Sequence, residues 1–159
     1  MPSRLKKSVE LGREPLFIDV ETETTLGGFK VKLPLVVAAM GSTDVANKRG
    51  LILSEGSARA GIIQVIGENV INMRGYDKRI SGQPCLKERI LKYLEHVNDD
   101  CGGVLIQQNV EDANAELWNK IYSDKDLDEY IDRGLIGFEI KGGQGAKPGL
   151  GGKLRLKEI

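Results

Sequence analysis

Two cysteines and a single histidine are the only thiol and imidazole groups in the 159 residues. Cys85 and Cys101 lie in no CxxC pattern. Neither a disulfide framework nor a zinc or iron–sulfur site is expected from them. His96 stands alone, so a Ser/His/Asp or Cys/His arrangement is not expected, and its place on the flank of a helix reads as solvated. An excess of either charge is also missing. Lys plus Arg number 23 and Asp plus Glu number 23. No global basic field exists to draw the chain onto nucleic acid or an anionic membrane. No run approaches the ~20 apolar residues of a membrane span. The longest, residues 35–40, has the length of a buried strand. The basic N-terminus is followed by no hydrophobic signal core, which makes the cytoplasm the expected compartment.

Glycine is abundant instead: 20 residues, against a usual level of about 7%. The chain is 40% hydrophobic and 29% charged, as a soluble globular domain is. Residues 1–15 are polar and charged and read as an arm or linker. Residues 16–20 and 29–33 favour strand, and Gly27-Gly28 between them predicts a hairpin turn. Beyond Pro34 come four near-continuous apolar runs, at 35–39, 62–66, 104–107 and 136–140. Strands apolar on both faces belong to buried parallel sheets. Helix-like segments separate them: 44–60 with Gly61 as a stop, 86–98, about 112–122 with Asp112 as N-cap, and 127–133. Residues 69–84, rich in Gly, Asn, Asp and Arg, read as a functional or disordered loop. The order is a β-hairpin and then β-α-β-α-β-α-β, with a spacing that suits βαβ units.

In parallel α/β sheets, ligands bind beyond the carboxyl ends of the strands. Those ends carry Met40-Gly41-Ser42-Thr43-Asp44, Gly67-Glu68-Asn69, Gln107-Gln108-Asn109 and Lys141-Gly142-Gly143-Gln144. Together they form a polar rim over an apolar core. Lys141 directly follows a buried strand, where a fixed cation suits a ligand that becomes anionic on reduction, such as a flavin. A lysine reaching into solvent fits the same spacing. Glu68 and Lys147 are candidates for substrate chemistry, as a carboxylate and an ammonium, although a glutamate in a loop is also an ordinary solvated residue. Gln107 and Gln108 alternate in facing, so at most one points inward, and Gln108 is taken as that one. Leu117 and Trp118 read as core. The Gly-rich tail follows neither the GxxxxGK[ST] nor the GxGxxG order.

The stretch Glu139-Ile140-Lys141-Gly142-Gly143-Gln144-Gly145-Ala146-Lys147-Pro148-Gly149-Leu150-Gly151-Gly152-Lys153 resembles the IKxxQGAKPGEGGQLPG signature of the FMN-binding synthase domain of glutamate synthase. Residues 40–46 resemble the first strand end of archaeal-type and related members. Gly67-Glu68-Asn69 sits where the family has a GEGG-like turn, and residues 104–109 fit the third strand. The resemblance covers most of residues 30–155. It implies an α/β fold of the FMN-binding (β/α)8 TIM-barrel type, with about four βα units present over residues 16–159. It implies that Met40, Gly41 and Ser42 approach the flavin and that Gln108 and Lys141 contact its ring. Glu68 and Lys147 would line the 2-oxoglutarate or iminoglutarate region, with Gln144, Lys147 and Lys153 holding substrate. In the family, reduced FMN gives a hydride to 2-iminoglutarate, formed from 2-oxoglutarate and ammonia. Within residues 139–153 two positions depart from the pattern: Leu150 stands for a glutamate, and Lys153 for a glutamine that helps hold substrate. The family's iron–sulfur cysteines and glutaminase domain have no counterpart in this sequence.

A (β/α)8 barrel usually takes ~250 residues, and its flavin phosphate site usually forms after strands 7 and 8. The isolated chain is therefore expected to bind FMN poorly. The alternative expectation is a non-catalytic fragment or split subunit that pairs with a C-terminal half-barrel, a glutaminase or an electron-transfer subunit. A flavin barrel of the α-hydroxy-acid oxidase or isopentenyl-diphosphate isomerase kind is disfavoured by the QGAKPG motif.

Overall fold

The computed structural model describes residues 3–80 and 82–142. Residues 3–11, read from sequence as part of an arm, form helix α1 (Ser3–Leu11). Residues 16–20 do not form a strand. Asp19 accepts from the Leu16 N–H at 2.7 Å and holds Arg13 through both oxygens. That side chain competes with strand pairing and closes a single 3-10 turn, Phe17–Asp19. The hairpin is present with a different first strand: β1 (Thr24–Leu26) pairs antiparallel with β2 (Phe29–Val31). Gly27 and Gly28, both at positive φ, make the two-residue turn between them.

The four apolar runs form one parallel sheet in the order of the chain: β3 (Val36–Met40), β4 (Ile63–Ile66), β5 (Gly103–Gln108) and β6 (Ile136–Ile140). This bears out the α/β class. Between β3 and β4 runs α2 (Asp44–Ala60), capped by the Thr43 hydroxyl on the Ala46 N–H and ended by Gly61 at φ 64°. Between β4 and β5 lie α3 (Val70–Arg74) and α4 (Leu86–Leu94). Part of the segment read as a loop is thus helix, because Val70 and Ile71 are apolar and bury against the sheet. Helix α4 stops at Leu94, short of residue 98, and the chain reverses through Asp99 and Asp100, both at positive φ. Between β5 and β6, the helix expected over about 112–122 is two: α5 (Val110–Asn114) and α6 (Leu117–Tyr122), broken where Glu116 takes φ 55°. Asp112 is not the N-cap. Asn109 is, its side-chain oxygen accepting from the Asp112 N–H at 2.8 Å. Helix α7 (Asp128–Asp132) precedes β6.

One face of the sheet carries the main core. Ile66, Val104, Ile106 and Ile136 pack there with Leu86, Ile90, Tyr93 and Leu94 of α4 and Leu117 and Ile121 of α6. Trp118 and Phe138 pack against this cluster, their rings 5.1 Å apart. The opposite face is covered by the hairpin at the N-terminal ends of the strands, where Phe29 and Val31 meet Ile63 and Leu105. A Cβ on Gly103 would lie 2.1 Å from the Phe29 ring, and one on Gly137 would lie 2.8 Å from it. The two glycines leave the volume that the ring fills.

Helix α4 is also fastened by charge. Glu88 accepts from the Cys85 N–H at 2.9 Å and binds Arg79 through both oxygens. The Arg79 hydrogen bond, the largest influence, and the Cys85 N–H hold its carboxyl down to about 2, against the cost of its own burial. A depressed carboxyl contributes stability that is full above its ordinary value of 4.5 and is lost as the pH falls toward 2. Glu88→Gln is therefore expected to destabilise the protein at pH 7 by about 1 kcal/mol, screened because Arg79 is half exposed. The difference from wild type should shrink as the pH falls below 4.5 and close only below pH 2 in urea titrations. A difference that persists at low pH would assign the loss to packing.

Candidate functional site

The alternation of β5 and β6 decides which side chains share a face. Gln107 lies two residues beyond Leu105, on the face against which the hairpin packs. Gln108 lies two beyond Ile106, on the helix-packed face. The structure therefore turns Gln107, not Gln108, toward the face that carries Leu105 and the hairpin. Gln107 is 4% exposed, donates Nε2 to Glu139 Oε1 at 2.5 Å, and keeps Oε1 buried without a hydrogen-bond partner. Glu139 occupies the same face, two residues past Gly137.

Lys141 continues the alternation beyond the end of β6. Its N–H extends the ladder to the Gln108 carbonyl at 2.8 Å. Its ammonium lies 3.6 Å from Glu68 Oε1, across the C-terminal end of the sheet, with the two side chains 26% and 18% exposed. Two candidate residues separated by 73 positions in sequence are thus brought together as one ion pair. Met40 ends β3, and its carbonyl accepts from the Gly67 N–H at 3.1 Å. Gly41 follows with no room for a side chain: a Cβ there would lie 2.3 Å from the Glu68 carbonyl oxygen. That close approach is made by the protein's own backbone. Ser42 is half-buried at the head of α2.

A buried carboxylate fixes the loops behind this rim. Asp112, fully buried, accepts from the Asn69 N–H at 2.9 Å, from Asn72 Nδ2 at 3.1 Å and from the Asn109 N–H at 3.3 Å. Asn109 Nδ2 donates to Asn69 Oδ1 at 3.1 Å, so the β4–α3 and β5–α5 connections form one unit. Burial, the largest influence, pushes the Asp112 carboxyl upward, and the Asn69 and Asn109 N–H groups oppose it.

Gln144, Lys147, Leu150 and Lys153, and with them most of the glycine-rich signature, lie outside the described residues. Among the described residues no group of three or more His, Cys, Asp or Glu is placed to hold a metal ion, and both cysteines are buried and free. His96, read as a solvated residue, is half-buried, with Nε2 3.6 Å from Glu55 Oε1. No helix among the described residues is long and apolar enough to cross a membrane. Sequence reasoning missed Glu139 and Asp112 as parts of the rim. Glutamate after a run of apolar strand residues is the only signal for the first, and Asn-x-x-Asp, a capping-box spacing, the only one for the second. Comparison with family models, curated proteins and solved structures gives no match for this chain.

Proposed function

We propose that the chain is a glutamate synthase-like flavin oxidoreductase domain that places FMN over the C-terminal rim of the parallel sheet. The observation that supports this most is the Lys141–Glu68 pair at the C-terminal end of the sheet, two residues along the chain from Glu139, the partner of Gln107. The residues present fit a flavin. The orphaned Gln107 Oε1 is a buried acceptor suited to a ring N–H, and Lys141 is a cation suited to the electron-rich edge of the ring. FMN, when bound and reduced, supplies the hydride that converts 2-iminoglutarate to glutamate. The protein's own residues hold and tune. Lys141 carries the charge, Glu68 restrains Lys141 and sits at the substrate side, and Glu139 orients the Gln107 amide. Lys147, with Gln144 and Lys153, is assigned to the substrate by the resemblance alone.

The test is a titration of FMN with the purified chain, followed by flavin absorbance and fluorescence. Weak but saturable binding is expected, and Lys141→Ala should lower the affinity by roughly tenfold or more, as for loss of one charge-assisted contact. A flavin spectrum that stays that of free FMN at large protein excess would overturn the reading.

A second reading, a non-catalytic unit that associates with further barrel strands, is favoured by the open sheet edges. Leu35, Val36 and Ile140 at those edges are 55%, 48% and 73% exposed.

A further inference from the structure

We propose that the chain pairs with a second copy of itself, the β3 and α2 flank of each copy against the β6 and α6 flank of the other, in two equivalent contacts that close eight parallel strands into one ring. The proposal rests on the second reading above and names the source of the further strands.

Both edge strands are open. In the order β3-β4-β5-β6, β3 and β6 each have one strand neighbour among the described residues. The Lys141 N–H is taken by the Gln108 carbonyl of β5. Successive residues of a strand direct their N–H groups to opposite sides, so the Ile140 N–H points to the free edge. Strand β3 contains no charged residue and no proline, the residues that usually guard an edge. Exposed apolar side chains gather at the same two flanks. Leu35 and Val36 are exposed beside β3, and so are Val45 and Ile52 on α2. Val45 and Ile52 lie on the side of that helix opposite the buried Asn47, Gly50 and Ser54. At the other flank Ile140 is exposed at the end of β6, and the exposed Tyr122 of α6 stacks on Phe138 of β6 with the rings 4.9 Å apart. Helix α4, which joins β4 to β5 over the middle of the sheet, exposes no large apolar side chain.

Charge decides how a second copy sits. The β5–β6 connection, residues 110–133, carries eight acidic and three basic side chains, whereas α2 carries two acidic and three basic. Two acidic flanks repel, and unlike flanks attract. A contact between unlike flanks is head-to-tail, and such a contact either closes into a ring or grows into a filament. The four strands are parallel, so a two-fold axis running with them sets β6 of each copy parallel to β3 of the other. Two copies bring eight strands, the number at which a parallel sheet closes on a core filled by its own side chains. The net charge of +0 adds no global repulsion between copies. These opposite flanks on one chain select a second copy over the strands of another protein.

The experiment is sedimentation equilibrium of the purified chain, with hydrogen exchange of the Ile140 amide read on the same samples. A monomer–dimer equilibrium is expected, and exchange at Ile140 should slow by roughly tenfold or more as dimer forms. Val36→Glu adds an acid to the flank that meets acidic residues, and Ile140→Lys adds a base to the flank that meets basic ones. Each is expected to weaken the dimer by roughly tenfold or more. Ile52→Glu repeats the first test on the surface of α2, outside the sheet. In a mixture of Val36→Glu with Ile140→Lys, a mixed dimer has one unaltered contact and one in which the new charges are opposite. The mixture should therefore associate roughly tenfold more tightly than either variant alone. A dimer that the substitutions leave intact, a mixture no tighter than its components, or assembly that grows past two copies overturns the proposal. So does a wild-type chain that stays monomeric. In such a monomer, fast exchange at Ile140 leaves the edge free for strands of another chain, and the second reading stands. Slow exchange there shows an edge already satisfied, and that reading fails as well.

Discussion

Gly41→Ala is expected to cost about 2–3 kcal/mol of stability, the range for forcing a group into a filled interior. Its added methyl would sit 2.3 Å from the Glu68 carbonyl oxygen, and the atom in the way is main chain, which cannot turn aside as a side chain can. The reverse holds across the same crossing, since a Cβ on Gly67 would lie 2.6 Å from the Gly41 nitrogen. Neither segment can yield without breaking the Gly67 N–H to Met40 carbonyl bond at 3.1 Å. Urea unfolding measures the loss. A cost under about 1 kcal/mol would show that the two connections separate freely. Because Glu68 carries the partner of Lys141, the same substitution is also expected to weaken flavin binding, and a variant that stays folded allows the two effects to be read separately.

Asp112→Ala is expected to cost about 3 kcal/mol, because it leaves the buried N–H groups of Asn69 and Asn109 without their acceptor. Asn69 is held at φ 65°, a backbone state that needs such support. Asp112→Asn keeps the volume but turns one acceptor oxygen into a donor amide, so a smaller loss is expected at pH 7. The pH dependence separates charge from shape. Burial raises the carboxyl in the folded state, so the native protein binds this proton more readily than the unfolded chain does. Stability from this group therefore falls as the pH rises from the ordinary carboxylate value of 3.8 through the raised one. Asp112→Asn should remove that slope from the urea midpoint, and an unchanged slope would assign it elsewhere.

The four strands were legible because buried parallel strands leave near-continuous apolar runs, and residues 136–140 match β6 residue for residue. Helix α2 was legible because Gly61 is a left-handed stop that acts locally; the equally local Thr43 cap was not read. Where the deciding interaction is a polar side chain, the periodicity misled. Asp19 folds an apolar stretch into a turn, and Asn109 takes the cap that Asp112 was expected to supply. The break at Glu116 depends on its backbone state, which no residue type at that position announces. The choice between Gln107 and Gln108 could not be made from alternation alone. It requires knowing which face of the sheet the helices cover, and that is settled by contacts between distant segments. Lys141 and Glu68 were each visible as strand-end residues, but their meeting needs the register of three strands.

The Phe29 ring, Gly103 and Gly137 share one volume. This ties three positions on three strands into a single heritable unit. A larger residue at either glycine is excluded while the ring is there, and a smaller residue at 29 opens a void that the glycines cannot fill. Divergence at this end of the sheet must therefore proceed by paired exchanges, a lost ring for a gained side chain. Relatives of the chain should show those three positions changing together, while the polar rim at the other end varies independently of them.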